Sequence, residues 1–247
     1  DYKGLEDFKE VLSIQKELVS KLNEVETAVS ELENNNLDFE LDNSDNFNLK
    51  RLVNNLQAQL KVIQEEEKQQ NWISTGLAKF VDIIRNENNN IKELSRKIIS
   101  SLVKYTNSNQ AGIFILDDKR ENLVQVASYA YDRDKFTDEN IPKGYGLLWQ
   151  CLFERKPIHI KKIPENYIKI NSGLGGEKPN SLLLIPLMLE EETFGVIEIA
   201  SFYEYKQYEI EFIQKLSESI ASAILNVKNV EQTQTLLKES EIKTQDL

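Results

Sequence analysis

The chain has 247 residues, enough for one or two domains. With 41 acidic against 30 basic residues its formal net charge is -11, which excludes nucleic-acid and anionic-membrane surfaces, because both need a basic footprint. A single cysteine, Cys151, excludes an intrachain disulfide and fits a reducing compartment, and no apolar run approaches the length of a membrane span.

The chain opens inside a helical pattern without a signal peptide, as a piece of a longer protein would. Residues 5–33 lack proline and place apolar side chains at Val11, Ile14, Leu18, Leu22, Val25, Val29 and Leu32. From Leu18 onward the steps alternate between four and three, a heptad seam. Asn34-Asn35-Asn36 predicts its end, since Asn tolerates the left-handed conformation that closes helices. A polar connector from Leu37 to Asn48 follows, with isolated apolar residues at Leu37, Phe39, Leu41 and Phe47. A second seam then runs Leu49, Val53, Leu56, Leu60, Ile63. A connector of about a dozen residues with apolar anchors fits a parallel helix–connector–helix unit. The other reading is an antiparallel hairpin, for which a short loop would do. A single helix pair has too little core to stand alone, so a homodimeric four-helix bundle is expected.

Polar residues 65–70 continue the helix, and Trp72, Ile73, Leu77, Phe80 and Ile84 resume an apolar stripe. A break over 86–90 precedes another amphipathic helix carrying Ile91, Leu94, Ile98 and Leu102. Residues 110–116 (QAGIFIL) and 123–131 (LVQVASYAY) read as strands separated by a charged turn. Residues 144–153 read as a short helix and 157–160 (PIHI) as a short strand. Two apolar runs, 182–189 and 194–200, flank a turn at Glu190-Glu191-Glu192-Thr193 and predict a buried β-hairpin. Residues 208–227 form a strongly amphipathic helix that runs without Gly or Pro into a polar tail ending at Leu247.

No catalytic constellation is visible. One histidine, His159, and one cysteine cannot build a zinc site, and a Cys151–His159 dyad has nothing else in the sequence to support it. Ser172-Gly173-Leu174-Gly175-Gly176 is glycine-dense but lacks the Lys-Ser/Thr of a phosphate loop, which leaves a mobile loop as the plainer reading.

Residues 71–227 resemble the GAF family of small-molecule sensor domains. The likeness is carried by QAGIFILDD, LVQVASYAY, KGYGLLWQCLFERKPIHI, NSLLLIPLMLEEETFGVIEIASF and the closing helix YEIEFIQKLSESIASAI, in that order. NWISTGLAKFVDIIR and YIKINSGLGGEKPNSLLLIPL look like the variant found in bacterial multidomain signalling proteins, often upstream of a histidine kinase. Residues 15–70 are similar to a HAMP signal-relay domain, with Leu37 and Phe47 as connector anchors, although Asn36 and Asn46 stand where Gly and Glu are usual. The Asn-Lys-Phe-Asp-Glu signature of cyclic-nucleotide-binding members is replaced by SFYEYKQYEIEF, with Ser201 and Tyr208 at the Asn and Asp positions, which argues against a cyclic nucleotide. Cys151 lies in a Trp-Gln-Cys-Leu context, unlike the Cys-His of bilin-attaching members.

The resemblance implies an α+β fold: a GAF-like antiparallel sheet flanked by helices, behind an N-terminal HAMP-like helical bundle or coiled coil and ahead of a C-terminal signalling helix. The expected organisation is a relay over 1–70, a sensor over 71–227 and the start of a coiled-coil linker over 228–247. It also implies a pocket on one face of the sheet. Candidate ligand-binding residues are Tyr129, Tyr131, Trp149, Cys151, Tyr167, Ser172, Gly173, Leu174 and Glu198, with ordinary packing as the alternative for each. Glu198 is a carboxylate inside the apolar run VIEIA, costly there unless hydrogen-bonded; a solvent-facing strand edge is its other reading. The expected function is non-catalytic signal transduction, with a parallel homodimer, an unidentified small-molecule ligand and a downstream output domain in the same polypeptide as partners, and with no cofactor, metal or nucleic acid. A structural GAF-like dimerisation module without ligand is the alternative. A sulfoxide reductase of the kind known in this family would need cysteines beyond Cys151. The expected location is the cytoplasm, with a HAMP-like start compatible with a membrane anchor in the parent protein.

Overall fold

A computed structural model describes the backbone of residues 2–39, 47–86, 90–130, 133–134, 140–163, 170–172 and 175–245. The chain divides into two compact units, residues 1–71 and 72–247.

In the first unit, α1 (Tyr2–Glu33) carries the first seam and ends where Asn35 adopts φ 62°. Helix α2 (Phe47–Asn86) begins in this unit and absorbs the second seam, the polar stretch and the Trp72 stripe into a single helix. Ala28 and Val53 are buried together with Phe39 packed on them. Gln64 Nε2 donates to Asn35 Oδ1 at 2.5 Å, Lys61 pairs with Asp38 at 2.5 Å, and Gln57 Nε2 donates to the Phe39 carbonyl at 3.0 Å. From Ala28 to Asn35 the chain therefore advances along α2 in the same direction, from Val53 to Gln64, then doubles back through Phe39. That is the parallel pairing rather than a hairpin. Leu37 is buried; the side chain of the other expected anchor, Phe47, lies outside the described residues, as do residues 40–46.

The second unit is built on a mixed-length antiparallel sheet. Its strands are β1 (Gln110–Leu116), β2 (Asn122–Ala130), β3 (Arg133–Asp134), β4 (Asn140–Pro142), β5 (Ile158–Ile160), β8 (Ser181–Leu189) and β9 (Glu192–Ser201), in the order β3-β2-β1-β9-β8-β5 with β4 also on β2. A separate two-stranded ribbon pairs β6 (Ile170–Ser172) with β7 (Gly175–Glu177). The four short strands β3, β4, β6 and β7 are not apparent in the sequence pattern; Ser172, Gly175 and Gly176, expected in a loop, belong to β6 and β7. The hairpin turn is tighter than expected. Glu190, at φ 54°, and Glu191 make the turn, while Glu192 and Thr193 already belong to β9. A register shift between Leu187 and Met188 absorbs the difference.

One face of the sheet is packed by the C-terminal part of α2, by α3 (Ile91–Tyr105) and by α5 (Gln207–Gln245). Alternation along the strands sends Ile113, Ile185, Ile197 and Ile199 to this face, where they meet Leu94, Ile98, Phe212, Ile213, Leu216 and Ile220. Between the helices lies an aromatic cluster: Trp72 stacks on Tyr105 at 4.7 Å and meets Phe212 edge-on at 5.0 Å. The Asn90 side chain caps α3, accepting from Lys92 N at 2.8 Å. Helix α5 runs unbroken through to Gln245.

Where the sequence departs from the Asn-Lys-Phe-Asp-Glu signature, a chain of hydroxyl groups ties the β9–α5 turn to the end of α3. Thr106 Oγ1 and Ser108 Oγ are 2.7 Å apart, Ser108 Oγ lies 2.8 Å from the Tyr205 hydroxyl, and the Tyr203 hydroxyl donates to the Thr106 carbonyl. Burial, reinforced by Glu209, pushes Tyr203 up to about 12; burial raises Tyr205 still further. An unfolded tyrosine ionises near pH 10. Above that pH the folded form retains protons the unfolded form has lost, so stability present below pH 10 declines as pH rises toward about 12. Thermal melts between pH 8 and 11.5 are expected to show this fall, with a shallower slope in Tyr203→Phe; equal slopes would refute the assignment.

Candidate ligand face of the sheet

The opposite face is covered by α4 (Gly146–Glu154). The helix is short, begins at Gly146, which like Gly144 has a positive φ, and stops at Arg155 in the left-handed conformation. Leu148, Cys151 and Leu152 bury against Leu182, Leu184 and Val196, with Phe114 and Leu116 completing the apolar layer. Trp149 is 1% exposed and its indole donates to the Ile141 carbonyl at 3.0 Å, which fastens α4 to β4. Its hydrogen-bonding capacity is thereby used within the fold.

One region of this face is polar. Glu198 is paired across the sheet with Gly112 on β1 and Leu184 on β8, and Gly112 with Ser128 on β2. Because β9 runs between β1 and β8, Glu198 does not lie at a strand edge. Gln110, Gln125, Ser128 and Glu198 surround a cavity of about 20 Å³ above Gly112. The missing side chain of Gly112 makes the space: a Cβ there would approach the Phe114 ring at 3.1 Å and Gln125 Nε2 at 3.4 Å. Carboxylate, carboxamide and hydroxyl groups thus converge on one small void in an otherwise apolar layer, an arrangement able to hold a hydrogen-bonding group.

The predicted site residues separate. Glu198, Trp149 and Cys151 share this side of the sheet. Tyr129 does not: it belongs to the helix-side core, with the Lys104 ammonium 5.8 Å from its ring centroid. The cause is a bulge. Phe114 pairs with Gln125 while Ile113 pairs with Ala127, so Val126 is an extra residue and the alternation along β2 reverses. Gln125 and Ser128 consequently reach the cavity, and Ala127 and Tyr129 face the helices. Tyr131, Tyr167, Gly173 and Leu174 lie outside the described residues; Ser172 is described only as a backbone position in β6. Gln110, Gly112, Gln125 and Ser128 escaped the sequence reading. For Gln110, Gln125 and Ser128 the signal is the polar interruption of two apolar strands.

Cys151 and His159 are on opposite faces. The thiol donates to the Lys156 carbonyl at 3.5 Å within the α4 layer, whereas His159 Nε2 lies 2.8 Å from Ser181 Oγ and its ring 6.2 Å from Tyr205 on the helix side. Burial, then the nearby Glu154, pushes the Cys151 thiol up to about 12, so it is protonated and a poor nucleophile at neutral pH. Alkylation by iodoacetamide at pH 8 is expected to run at least about 100-fold slower in the native than in the denatured chain; comparable rates would show an activated thiol. Among the described residues no group of three or more His, Cys, Asp or Glu could hold a metal ion. No described helix is long and apolar enough to cross a membrane.

Solved structures share this architecture. The GAF domain of a phosphoenolpyruvate-protein phosphotransferase from Coxiella burnetii is similar with a TM-score of 0.55 at 18% identity, over 65% of this chain and 96% of that one. The corresponding domain from Acinetobacter gives 0.53 at 13% identity, over 65% and 97%. The free methionine-R-sulfoxide reductase of Neisseria meningitidis, in complex with its substrate, gives 0.52 at 14% identity, over 64% and 91%. At these identities the likeness shows the fold. No curated protein matches the chain. The family model described as the GAF domain matches residues 88–225, more than half of the chain, and with the sheet, helices and order of elements it establishes that this protein belongs to the GAF domain family.

Proposed function

We propose that the chain is a non-catalytic signal-transduction module in which a small molecule bound on the Glu198 face of the sheet biases the packing of helices leading to an output domain such as a histidine kinase. GAF domains are generally regulatory. The observation that carries the reading here is the polar cavity above Gly112, set in a face that is otherwise apolar. The sulfoxide reductase neighbour binds its substrate, which gives the fold a precedent for small ligands. The cytoplasm is the proposed location.

The rest of the proposal concerns relay. Residues 1–70 act as a HAMP-like helix–connector–helix unit within a parallel homodimer. Among the described residues its buried apolar side chains are Ala28, Leu37 and Val53, with Phe39 packed on Ala28 and Val53, whereas Leu18 and Leu22 on the α1 seam are 58% and 59% exposed. An apolar seam left open to this extent calls for a second copy. Bundles of this kind have alternative packings separated by a few kcal/mol, which a ligand can select.

The ligand-free dimerisation reading is favoured by the size of the cavity, since about 20 Å³ holds little more than one water. Native mass spectrometry of the purified chain separates the two. A small molecule retained in the native spectrum, released on denaturation and absent from Glu198→Ala is the expected result. A bare chain in both proteins would overturn the sensing reading in favour of the structural one.

A further inference from the structure

Helix α5 leaves the globular unit at a defined point. Among the described side chains Val227 is its last buried apolar residue; Val230, Leu236 and Leu237 beyond it are exposed. At this point α5 borders a groove of about 190 Å³ whose lining includes Leu116, Phe194, Ile224 and Lys228. The helical turn beside the groove carries two polar anchors to two different elements. Lys228 Nζ lies 2.6 Å from Asp118 Oδ1, in the turn after β1. Glu231 Oε1 accepts the Ile91 backbone N–H at 3.3 Å, at the first turn of α3. A carboxylate there satisfies a donor that has no partner within its own helix and complements the positive end of the helix dipole.

Residues 228 and 231 are three apart, hence neighbours on the helix surface, yet they hold separate parts of the fold. We infer that Lys228–Asp118 and Glu231–α3 form a latch that sets the exit direction of α5, and that the sheet acts on the outgoing helix through it. The link to the ligand face is direct in the chain: β1 carries Gly112 under the cavity and ends immediately before the Asp118 turn. A displacement of β1 along its axis moves Asp118, and with it one of the two supports of α5. This second step rests on the sensing reading proposed above; the latch itself does not.

Hydrogen–deuterium exchange of the full chain tests the latch without a ligand or an output domain. In Lys228→Ala/Glu231→Ala, amides over 228–237 are expected to exchange about 3- to 10-fold faster, the range for losing one exposed ion pair and one helix-terminus charge contact. The strands over 181–201 are expected to be unchanged. Alanine is the strongest helix former, so weakened helix propensity cannot produce the effect. The charge exchange Asp118→Lys/Lys228→Glu, with Glu231 intact, is expected to recover wild-type protection. Unchanged exchange over 228–237, acceleration that spreads equally to the strands, or no recovery on charge exchange would each overturn the latch. Such a failure would leave the sensing reading to the mass-spectrometric comparison.

Discussion

Replacing Gly195 by alanine is expected to unfold the sheet at markedly lower temperature. A Cβ at this position would lie 2.1 Å from the Phe114 carbonyl oxygen and 3.1 Å from Ile115 Cα. Both are backbone atoms of β1, the strand paired with β9 at this point. They can retreat only by opening the β1–β9 ladder at the centre of the sheet, with Ile113 and Ile197 on its helix face and Phe114 and Val196 on the other. Overpacking against rigid backbone places the loss on the order of 3 kcal/mol or more. For a unit of this size that corresponds to a fall in Tm of roughly 6–12 °C. Gly112→Ala supplies the control on the same strand pair: its Cβ would meet a ring carbon and an amide nitrogen, which can give by a few tenths of an ångström. A Tm for Gly195→Ala within about 1 °C of wild type would show that β1 and β9 do not approach this closely.

The second large effect is on association. Leu18→Asp/Leu22→Asp places charges in the middle of the α1 seam without touching the intrachain contacts around Ala28 and Val53. Burying a leucine contributes about 1.5–3 kcal/mol, and two are lost from each copy. The dimer dissociation constant is therefore expected to rise at least about 100-fold, the equivalent of about 2.7 kcal/mol. Sedimentation velocity across a micromolar concentration range reads this directly. The expected pattern is a dimer for wild type and a monomer for the variant, with unit 72–247 melting unchanged. A wild-type chain that stays monomeric at every concentration would remove the dimer and the bundle relay.

The contrast between what the sequence discloses and what it hides follows from scale. The strands of QAGIFIL and of the 181–201 hairpin are long, apolar and rich in Ile, Leu and Val, so sequence reading and structure agree within a residue or two. The same holds for α4 and α5, whose periodicity is sustained. Strands β3, β4, β6 and β7 are two or three residues each, too short for any period to show. The site was legible only in part. Glu198 stands out because a carboxylate interrupts an apolar run. Tyr129 lies on the helix side instead, because the bulge at Val126 reverses the alternation along β2, and no periodicity in the strand announces a bulge. Gly112 gave no signal, since a glycine in a strand reads equally well as a bulge or as a close approach. Only the registers of β2, β1 and β9 together show that it opens a space beneath Gln125, Ser128 and Glu198.

Occupancy of the Glu198 face is expected to be felt by the outgoing helix. Hydrogen–deuterium exchange of the chain as purified, compared with the same chain unfolded, stripped of small molecules and refolded, tests it most directly. Stripping is expected to change protection in β1 and β9 and also along α5 over 207–237. Identical exchange along α5 in the two samples would contradict it.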